Sequence, residues 1–554
     1  MKLMNNAIDS VNAVLNQSTP LLDDDRYHAD LALREATARY GAGWAHDELG
    51  EAGQLFASSR LMRLAVDANR FRPELKRFDA QGRRIDRVDF HPAWHELLGC
   101  SIERGIVSMP WDNPRPGSQV ARAALFYLYS QTETGTQCPI AMSTGTIQVL
   151  ERLADQLPEI GDLWLPKLKS RSYDGRFMPA RDKSGVLFGM GMTERQGGSD
   201  VRRNITRARA LDASGPGRRY AITGHKWFFS APMSDAFLIL AQTSAGIACF
   251  LVPRFLEDGE LNALHLVRLK DKLGNHSNAS SELELHGATG YLLGDEGRGI
   301  HTIIEMATHT RLDCVLATAG MQRRALCVAL NHAGQREAFG ARLIDQPIMA
   351  AVLAELAIES EAATVLAMFL AHCFAAEASD GERLIGRLLT PAAKFHVCKR
   401  GPQFAAEAME VLGGNGYIEE LDLARIYREM PLLSIWEGSG NVMCLDVLRV
   451  LSHEHESRAV LLEFVRKAHG ENAAFDAYID QLDALLQQAE ESDGRRVAHA
   501  ITLAIQGSLL IRHAPACVAD TFCATRLLHE FGNASFGVLP RGAPVKELLA
   551  RAWP

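Results

Sequence analysis

Hydrophobic and polar residues follow two different periods along the chain. Up to about residue 185, apolar residues recur every three or four positions in segments such as 21–40 and 118–131, which is typical of helices with one buried face. The proline-rich stretch 110–116 interrupts this pattern and indicates a break between helices rather than between domains. The first third of the chain is therefore predicted to be helical.

Between about Gly185 and Gly294 the pattern changes to short segments rich in β-branched and aromatic residues, separated by Gly, Pro, Asn and Ser. A parallel dinucleotide-binding sheet needs helices between its strands, and no helical segments of roughly 10–15 residues alternate with these strands. The stretch therefore predicts a small antiparallel sheet or barrel.

Long helical patterns return after Gly299 and cover residues 300–339, 347–378, 386–412 and 439–451. Patterns of this length, with short breaks between them, indicate a helical bundle. A less regular helical segment follows from residue 453. We therefore predict an α+β chain in four parts: an N-terminal helical domain (1–185), a central antiparallel β domain (186–295), a helical bundle (296–451) and a helical C-terminal extension (452–554).

The composition is that of an ordinary globular protein. The 554 residues allow about three or four domains, and 47% of them are hydrophobic, which excludes wholesale disorder. No apolar run reaches the roughly 18–20 residues that span a bilayer, and residues 1–10 lack the basic and apolar parts of a secretion signal. The ten cysteines are scattered singly, mostly in apolar surroundings, as expected for buried thiols in a reducing compartment. We therefore expect a cytoplasmic protein without membrane contact.

Charge is distributed unevenly along the chain. The formal net charge is −8, which argues weakly against nucleic acid as a partner. Residues 450–494 hold 3 basic and 10 acidic side chains, whereas residues 495–554 hold 7 basic and 3 acidic ones, a net charge of +4. A basic end on an acidic chain suits either a phosphate-binding surface or a solvated helix face, and the counts alone favour the solvated face.

One glycine-rich stretch carries most of the chemical information in the β region. In GMGMTERQGGSD, at 189–200, Gly197 and Gly198 free backbone amides, and Thr193 and Ser199 add hydroxyl groups. Such a set can cradle a phosphate or the edge of a flat ring. The stretch is not the GxGxxG fingerprint and does not open a helix, so a tight hairpin explains it equally well.

Other familiar chemistries are not supported by the sequence. His91, His95, His453 and His455 have no carboxylate partners at the spacing of a metal site, so we predict structural or exposed roles for them and no bound metal. The chain also lacks a GxSxG elbow, a P-loop and an HExxH motif.

Further segments change the interpretation of the glycine-rich stretch. They are HKWFFS at 225–230, REAFG at 336–340 after a long helix, and the pair GGNGY at 413–417 and IWEGSGN at 435–441. In this order, across helical, β and helical regions, they resemble the acyl-CoA dehydrogenase family of flavoproteins. Segments such as LKDKLGNHSNAS and NVMCLDVLRVL are similar to the AidB-like branch of that family, the alkylation-response flavoproteins, over nearly the whole chain.

The resemblance implies a bound FAD. It places the flavin ring and diphosphate against residues 190–199 and 227–230, with Thr193 facing the ring and Trp227 beside it, while Phe228 is expected to be ordinary core. It also brings the glycines after residue 412 to the cofactor, although a helix C-cap explains them as well. The residues that the resemblance assigns to FAD are Met190, Gly191, Met192, Thr193, Gly197, Gly198, Ser199, Trp227, Phe229, Ser230, Arg336, Phe339, Gly413, Gly414, Ile435, Trp436, Gly438, Ser439, Gly440 and Asn441.

Arg336 and Phe339 match residues that reach the FAD of a neighbouring subunit in many relatives, and the resemblance implies a homotetramer. A guanidinium suits a diphosphate because its planar fork makes paired hydrogen bonds, but a solvated helix end accounts for Arg336 equally well. The sequence does not decide whether this contact crosses a subunit interface.

Glu437 is the residue that the resemblance implies as catalytic base. Oxidation of an acyl thioester needs removal of an α-proton while a β-hydride passes to the flavin, so the base must be a carboxylate with a raised pKa in a dry pocket. Glu437 lies in the WEGSG turn, where the family carries such a base. The AidB-like branch has weak activity on short branched acyl-CoAs such as isovaleryl-CoA, so the resemblance implies acyl-CoA as a ligand but little turnover.

The resemblance also implies duplex DNA as a partner, bound without sequence preference through its phosphates and shielded during alkylation stress. Such binding depends steeply on salt. The residues predicted to contact DNA are Arg449, Arg495, Arg496, Arg512 and Arg526. No recognition helix, zinc finger or aromatic–basic alternation is visible in the sequence.

Two enzyme functions compete with this interpretation. The first is a fully active FAD-dependent dehydrogenase of short or branched acyl-CoAs, whose extension serves only assembly. The second is oxidation of a small substrate without CoA, such as a nitroalkane. Relatives with that second chemistry use an aspartate base, whereas this chain has Glu437.

Overall fold

The N-terminal region combines helices with one hairpin. The computed structural model describes residues 13–528 and 535–554. The prediction that residues 1–10 are not a secretion signal therefore lies outside the described residues. Strands β1 (Glu74–Phe78) and β2 (Arg84–Asp89) form an antiparallel hairpin, which the helical prediction for 1–185 does not contain. Both strands are rich in charged residues, so their alternation is weak in the sequence. The helices are α1 (Leu31–Arg39), α2 (His46–Ala57), α3 (Ser59–Arg70), α4 (Pro92–Glu103), α5 (Met109–Asp112), α6 (Ser118–Ser130), α7 (Gln137–Leu153) and α8 (Pro158–Leu168).

The central sheet closes on itself. Its strands are β3 (Phe188–Gly191), β4 (Arg207–Ala210), β5 (Arg219–Ser230), β6 (Ala236–Thr243), β7 (Gly246–Pro253), β8 (Leu264–Leu269) and β9 (Ser280–Leu293). Strand β9 pairs with β5, β7 and β8, while β6 links β7 to β3, and β3 returns to β5. The pairings of β6 with β3 and β4 are parallel, so the predicted antiparallel domain contains a parallel edge.

The helical bundle follows the predicted segments closely. It consists of α9 (Gly299–Gln335), α10 (Pro347–Cys373), α11 (Asp380–Val411), α12 (Asp422–Ile435) and α13 (Gly440–His453), with a small hairpin of β10 (Glu337–Ala338) and β11 (Ala341–Arg342) after α9. The sequence analysis predicts no helix at α12, and Pro431 is unfavourable inside a helix because it has no backbone N–H to donate. The structure accommodates this proline in the second half of the helix. The α+β class with helical, β and helical parts is confirmed.

The extension shares the core of the bundle. Its helices are α14 (His455–Arg466), α15 (Ala473–Gln488), α16 (Gly494–His513), α17 (Ala516–Arg526) and α18 (Val545–Ala552). Helix α16 packs against α11 and α13, and α18 packs against α10. One hydrophobic core runs from the N-terminal helices through the bundle into α16, and a second lies within the β domain. The extension is therefore an integral part of the folded core formed with the bundle.

Helix length and thiol burial add two observations. No helix within residues 13–528 and 535–554 is long and apolar enough to cross a membrane. The ten cysteines are free thiols, and eight of them are buried.

Candidate functional site

The glycine-rich stretch leaves the sheet next to the aromatic end of β5. Strand β3 ends at Gly191, and Met190 pairs with Ser230. Beyond β3, the backbone amide of Trp227 donates to the carbonyl oxygen of Thr193 over 2.9 Å. The fold therefore brings together the segments 190–199 and 227–230.

A buried ion pair holds this loop in place. Lys226 Nζ lies 2.8 Å from Glu194 Oε1, and neither side chain is exposed to solvent. Burial alone would raise the pKa of Glu194, but Lys226 lowers that pKa to about 2, while burial lowers the pKa of Lys226 to about 8. The second carboxylate oxygen of Glu194 accepts the backbone amide of Ile205 over 2.7 Å. The sequence analysis missed this pair, whose one signal is a lysine inside the aromatic run HKWFFS.

Glycine is required beside Thr193. A Cβ at Gly198 would come within 2.4 Å of Thr193 Oγ1, so a larger residue would displace the hydroxyl. Gly197 has a φ of +144°, with open space where a side chain would be, and Ser199 is exposed. The sequence predicts free amides at both glycines, but the Gly197 amide donates to the carbonyl oxygen of Glu194 over 3.0 Å. The hydroxyl groups of Thr193 and Ser199 and the Gly198 amide remain as donors that fit the heteroatoms of a flat ring or a phosphate.

The three aromatic residues after Lys226 have different surroundings, because the pairing of β5 with β9 is irregular between 226 and 229. The indole of Trp227 is half-buried, with Lys270 Nζ 3.6 Å from its ring centre. Phe228 is 50% exposed, so the prediction that it belongs to the core is wrong. Phe229 is buried against Phe237 in the core of the β domain. Its ring is enclosed, so the prediction of a cofactor contact is wrong for its side chain.

Glu437 lies in the turn between α12 and α13, in a left-handed backbone conformation with a φ of +57°. Thr310 Oγ1 donates to Glu437 Oε2 over 2.8 Å, and Arg311 Nε donates to the Glu437 carbonyl oxygen over 3.1 Å. Lys394 Nζ donates to the carbonyl oxygens of the residues on either side of Glu437. Such a backbone conformation costs about 1–3 kcal/mol and is found preferentially at functional sites. The three partners hold the turn in it.

The carboxylate of Glu437 lines a cavity between α7, α9 and α12. Burial raises the pKa of Glu437 above its ordinary value, while the hydrogen bond from Thr310 and the charges of Lys394 and Arg311 oppose the rise. A carboxylate of raised pKa in an apolar cavity is suited to removing a proton from carbon. The apolar walls include Phe126, Met142, Cys314, Met321, Leu433 and Trp436.

Two further carboxyl groups line this cavity, and the sequence analysis missed both. Asp313 is buried with Arg122, whose Nη2 lies 2.9 Å from Asp313 Oδ2. Glu429 accepts the backbone amide of Asn275 over 2.6 Å and the hydroxyl of Thr134 over 3.0 Å. Burial raises the pKa of both carboxyl groups. Both oxygens of each of these carboxyl groups have a partner, whereas Thr310 occupies only Oε2 of Glu437, so Glu437 is the better candidate base.

The residues around Glu437 face three directions. Trp436 lines the cavity, whereas Ile435 is 63% exposed. Asn441 Oδ1 accepts a hydrogen bond of 2.9 Å from Arg495 Nε, at the start of α16. The loop predicted to contact FAD is therefore tied at its end to the C-terminal extension.

Arg336, Phe339 and the glycines after α11 form a separate group. Arg336 caps α9 and donates to the carbonyl oxygen of Asn16, while Asn415 donates to the side chain of Gln17 over 3.2 Å. Phe339 is fully exposed, with a φ of +54°. Within residues 13–528 and 535–554, no hydrogen bond or ion pair joins this group to Thr193 or Glu437. The fold therefore divides the predicted cofactor residues between two places on one chain.

Four of the arginines predicted to contact DNA are exposed. Arg495 and Arg496 begin α16, and Arg512 lies at its end. Arg449 has a 65% exposed side chain, 3.8 Å from Asp446. A Cβ at Gly494 would lie 3.2 Å from the side chain of Leu448, so the start of α16 packs against α13. We call the exposed Arg449, Arg495 and Arg496, which follow these two contacting residues in the chain, the α16 basic surface.

Arg526 is not available to DNA. It is 2% exposed, and its guanidinium lies 2.6 Å from Glu355 and 3.0 Å from Glu359. The prediction that Arg526 contacts DNA is therefore wrong, because two carboxylates of α10 already neutralise it inside the protein.

The histidines considered for a metal have other surroundings. His91 Nδ1 accepts the backbone amide of Ala93, His95 Nδ1 lies 2.7 Å from the hydroxyl of Tyr173, and His453 Nδ1 lies 2.7 Å from that of Ser452. The side chain of His455 lies outside the described part. In the ranges that the structure covers, no group of three or more His, Cys, Asp and Glu side chains is arranged to hold a metal.

Known proteins share this architecture along the whole chain. Residues 16–175 match the adaptive response protein AidB N-terminal domain, residues 189–288 the acyl-CoA dehydrogenase middle domain, and residues 297–452 the acyl-CoA dehydrogenase C-terminal domain. The chain is 47% identical to the putative acyl-CoA dehydrogenase AidB of Escherichia coli (strain K12) over 517 residues, which cover 93% of this chain and 94% of that protein.

Two solved structures superpose over most of the chain. Caenorhabditis elegans ACDH-11, in complex with C11-CoA, has a TM-score of 0.84 and 28% identity, covering 92% of this chain and 91% of that one. The apo form of a protein called Bd2924 has a TM-score of 0.82 and 29% identity, covering 90% of this chain and 99% of that one. These relatives extend the similarity through the region beyond residue 452.

Proposed function

The chain belongs to the acyl-CoA dehydrogenase family, with an N-terminal domain of the AidB type, and on this basis we propose that it is an FAD-containing protein of the adaptive response to DNA alkylation. It binds duplex DNA without sequence preference, protects it, and keeps a weak dehydrogenase activity on substrates like isovaleryl-CoA. The observation that carries the proposal is Arg495, which is exposed on the α16 basic surface and hydrogen-bonds the loop of Glu437 through Asn441.

The residues at the end of β3 fit FAD. The Thr193 hydroxyl and the amide of Gly198 are donors for the ring and the diphosphate, and Trp227 offers an aromatic wall. When bound, FAD supplies the acceptor for the hydride that leaves the β-carbon of an acyl thioester. The buried pair of Glu194 and Lys226 keeps the loop in shape, so binding orders little additional chain.

Glu437 acts as the base in this proposal. Its ionised carboxylate accepts the α-proton of the acyl group in the cavity, and the apolar walls exclude water from the reacting carbon. Lys394 and Arg311 fix the turn, but their charges also lower the basicity that burial gives Glu437. Burial outweighs these charges, so the pKa of Glu437 stays above its ordinary value.

The α16 basic surface is the proposed contact to DNA. Arg495 and Arg496 lie at the start of α16, and Arg449 lies on α13, which packs against that start. Arg512 lies 17 residues after Arg495, about 25 Å along a helix. Free guanidinium groups pair with phosphates and release counter-ions, which gives affinity without sequence preference. A single chain offers few such contacts. In an assembly of several copies, the binding of one copy to DNA raises the effective concentration of the remaining copies near the duplex and so strengthens their binding.

A homotetramer is the proposed assembly. The ring of Phe339 is fully exposed beside Arg336, and an exposed phenyl ring favours burial against another surface. In the proposed assembly both residues reach the FAD of a neighbouring copy. The molar mass of the purified protein tests this, because a monomeric mass for the wild-type chain excludes it.

The test of the DNA-binding proposal is a salt titration of duplex DNA binding, with flavin content read from the same sample. We expect micromolar or tighter binding near 50 mM salt and a loss of affinity on the order of tenfold or more per threefold rise in salt, if several phosphates are contacted. Absence of binding at low salt, in protein fully loaded with flavin, contradicts the DNA-binding role.

The second candidate is a fully active acyl-CoA dehydrogenase, which the raised pKa of Glu437 inside an apolar cavity favours. Anaerobic mixing with isovaleryl-CoA separates the two candidates. Bleaching of the flavin that is complete within seconds identifies an efficient enzyme, whereas slow or partial bleaching agrees with weak residual activity.

A further inference from the structure

A second cavity lies at the opposite end of β3 from Thr193. It is formed where the end of β2 and the start of α4 meet the chain between α8 and β3. Leu187, just before β3, lines it. None of the residues assigned above to FAD, acyl-CoA or DNA is part of its wall.

The charges in this wall balance except for one. Three of its cations each have a carboxylate at 2.6 Å, namely Arg87 with Asp89, Arg176 with Asp174, and Lys183 with Asp235. Arg254, by contrast, forms no ion pair with any residue of the described ranges 13–528 and 535–554. The wall therefore holds one cation that has no carboxylate within ion-pair distance, although the charges of Asp235 and Asp86 act on it from further away.

Arg254 is buried, with 8% of its surface exposed. Its Nε donates to the carbonyl oxygen of Ser234 over 2.8 Å and its Nη2 donates to that of Pro232, so its partners are neutral. The guanidinium also lies 5.6 Å from the ring centre of Phe177 and 5.5 Å from that of Phe237. Burial lowers the pKa of Arg254 to about 10, which still leaves it charged at neutral pH. A buried charge without a counter-ion is costly, and an anion would relieve that cost.

A polar group in the wall has no partner in the described chain. Trp94 is 1% exposed, and its indole Nε1 is buried without an acceptor. Its ring stacks on Phe90 with 3.9 Å between ring centres. Buried donors are normally satisfied by protein, water or ligand, so this one favours a ligand that carries acceptor oxygens.

We propose that this cavity binds a small aromatic monocarboxylate. The single unpaired cation, Arg254, selects one negative charge, and a carboxylate matches the fork of a guanidinium. Phe90 and Phe177 provide apolar faces for a ring. The inference is independent of the proposed flavin and DNA functions, because it uses none of their residues.

The test uses the full-length protein with its natural flavin and 4-fluorobenzoate as the probe, observed by fluorine NMR. We expect saturable broadening of the probe signal, and broadening at least about tenfold weaker with neutral 4-fluorobenzamide, because the charge-assisted pair is lost. Arg254→Met should weaken binding by about tenfold or more. Arg176→Met is the matched control, since Arg176 already has Asp174, and should leave binding within about twofold.

The outcomes are distinct. Absence of saturable broadening up to about 10 mM probe, or binding unchanged in a folded Arg254→Met protein, overturns the proposal. Equal binding of the amide also overturns it, because the site then recognises no charge. If Arg254→Met does not fold, Trp94→Phe decides, since it keeps the ring and removes the donor. A loss of about threefold or more supports the proposal, and unchanged binding overturns it, because the indole donor is then not part of the site.

Discussion

The cavity of Glu437 and the α16 basic surface are neighbours joined by one hydrogen bond, yet their charges experience opposite environments. In the cavity, burial raises the pKa of Glu437 and three fixed partners oppose it. On the surface, Arg495 and Arg496 are exposed, and Arg495 has an amide as its hydrogen-bond partner. In the cavity, which is largely closed to water, the electrostatic energy of a single charged group is large. On the exposed surface, water and salt screen each charge, so the binding energy depends on the number of charges and on the salt concentration.

The largest expected effect is that of Glu437→Gln on acyl-CoA oxidation. The amide keeps the shape of the side chain but cannot accept the α-proton, so flavin bleaching by isovaleryl-CoA should slow by about 10²–10⁴-fold. Stopped-flow absorbance under anaerobic conditions measures this. DNA affinity should stay unchanged, because no proposed phosphate contact is altered. Loss of both properties would mean that Glu437 is structural.

Arg526 sharpens the comparison because it belongs to the extension, like Arg495, but is buried, like Glu437. Arg526→Met should destabilise the protein by about 3–5 kcal/mol, since Glu355 then remains buried without this counter-ion. Arg512→Met, also in the extension but exposed, should change stability by less than about 0.5 kcal/mol. Denaturant unfolding compares the two variants. Equal stabilities would contradict the burial that distinguishes them.

These differences mark the limit of prediction from sequence. The hydrophobic periods predict the order of helical, β and helical parts, because such patterns lie in neighbouring residues. The expectation that Thr193 lies near Trp227 comes from the resemblance to the family. The burial of Arg526 depends on Glu355, 171 positions earlier in the chain. Sequence spacing cannot reveal such a pair. The pair of Lys226 and Glu194 and the unpaired Arg254 escape prediction for the same reason.

The side chains after Lys226 show a second limit. Strand alternation is a reliable guide only while the register is regular, and here the pairing of β5 with β9 shifts between 226 and 229. Phe228 is exposed and Phe229 is buried as a result. No residue type in HKWFFS signals that irregularity.

The exposed arginines should act additively and weakly. Arg495→Gln should lower the slope of log affinity against log salt by about 1, because one phosphate contact is lost, and the combined change of Arg449, Arg495 and Arg496 by about 3. Fluorescence anisotropy with a labelled duplex at several salt concentrations measures the slopes. Arg526→Met, in conditions where it stays folded, should keep the wild-type slope. An unchanged slope in the triple variant would move the DNA contact away from this surface.

The smallest expected effect is a shift in the pH dependence of flavin reduction. It tests how strongly the hydrogen bond from Thr310 lowers the pKa of Glu437. Glu437 must be ionised to accept a proton, so flavin reduction should fall as the pH drops through its pKa, which lies above the ordinary 4.5. Thr310→Val removes the hydrogen bond that stabilises the carboxylate and therefore moves this fall to higher pH.

The control for this shift is Thr308→Val on the same helix, whose hydroxyl donates to the carbonyl oxygen of Ile304 and not to Glu437. It should keep the wild-type profile. If Thr310→Val also keeps that profile, the hydrogen bond does not tune the base. Burial, opposed by the charges of Lys394 and Arg311, would then set the basicity of Glu437.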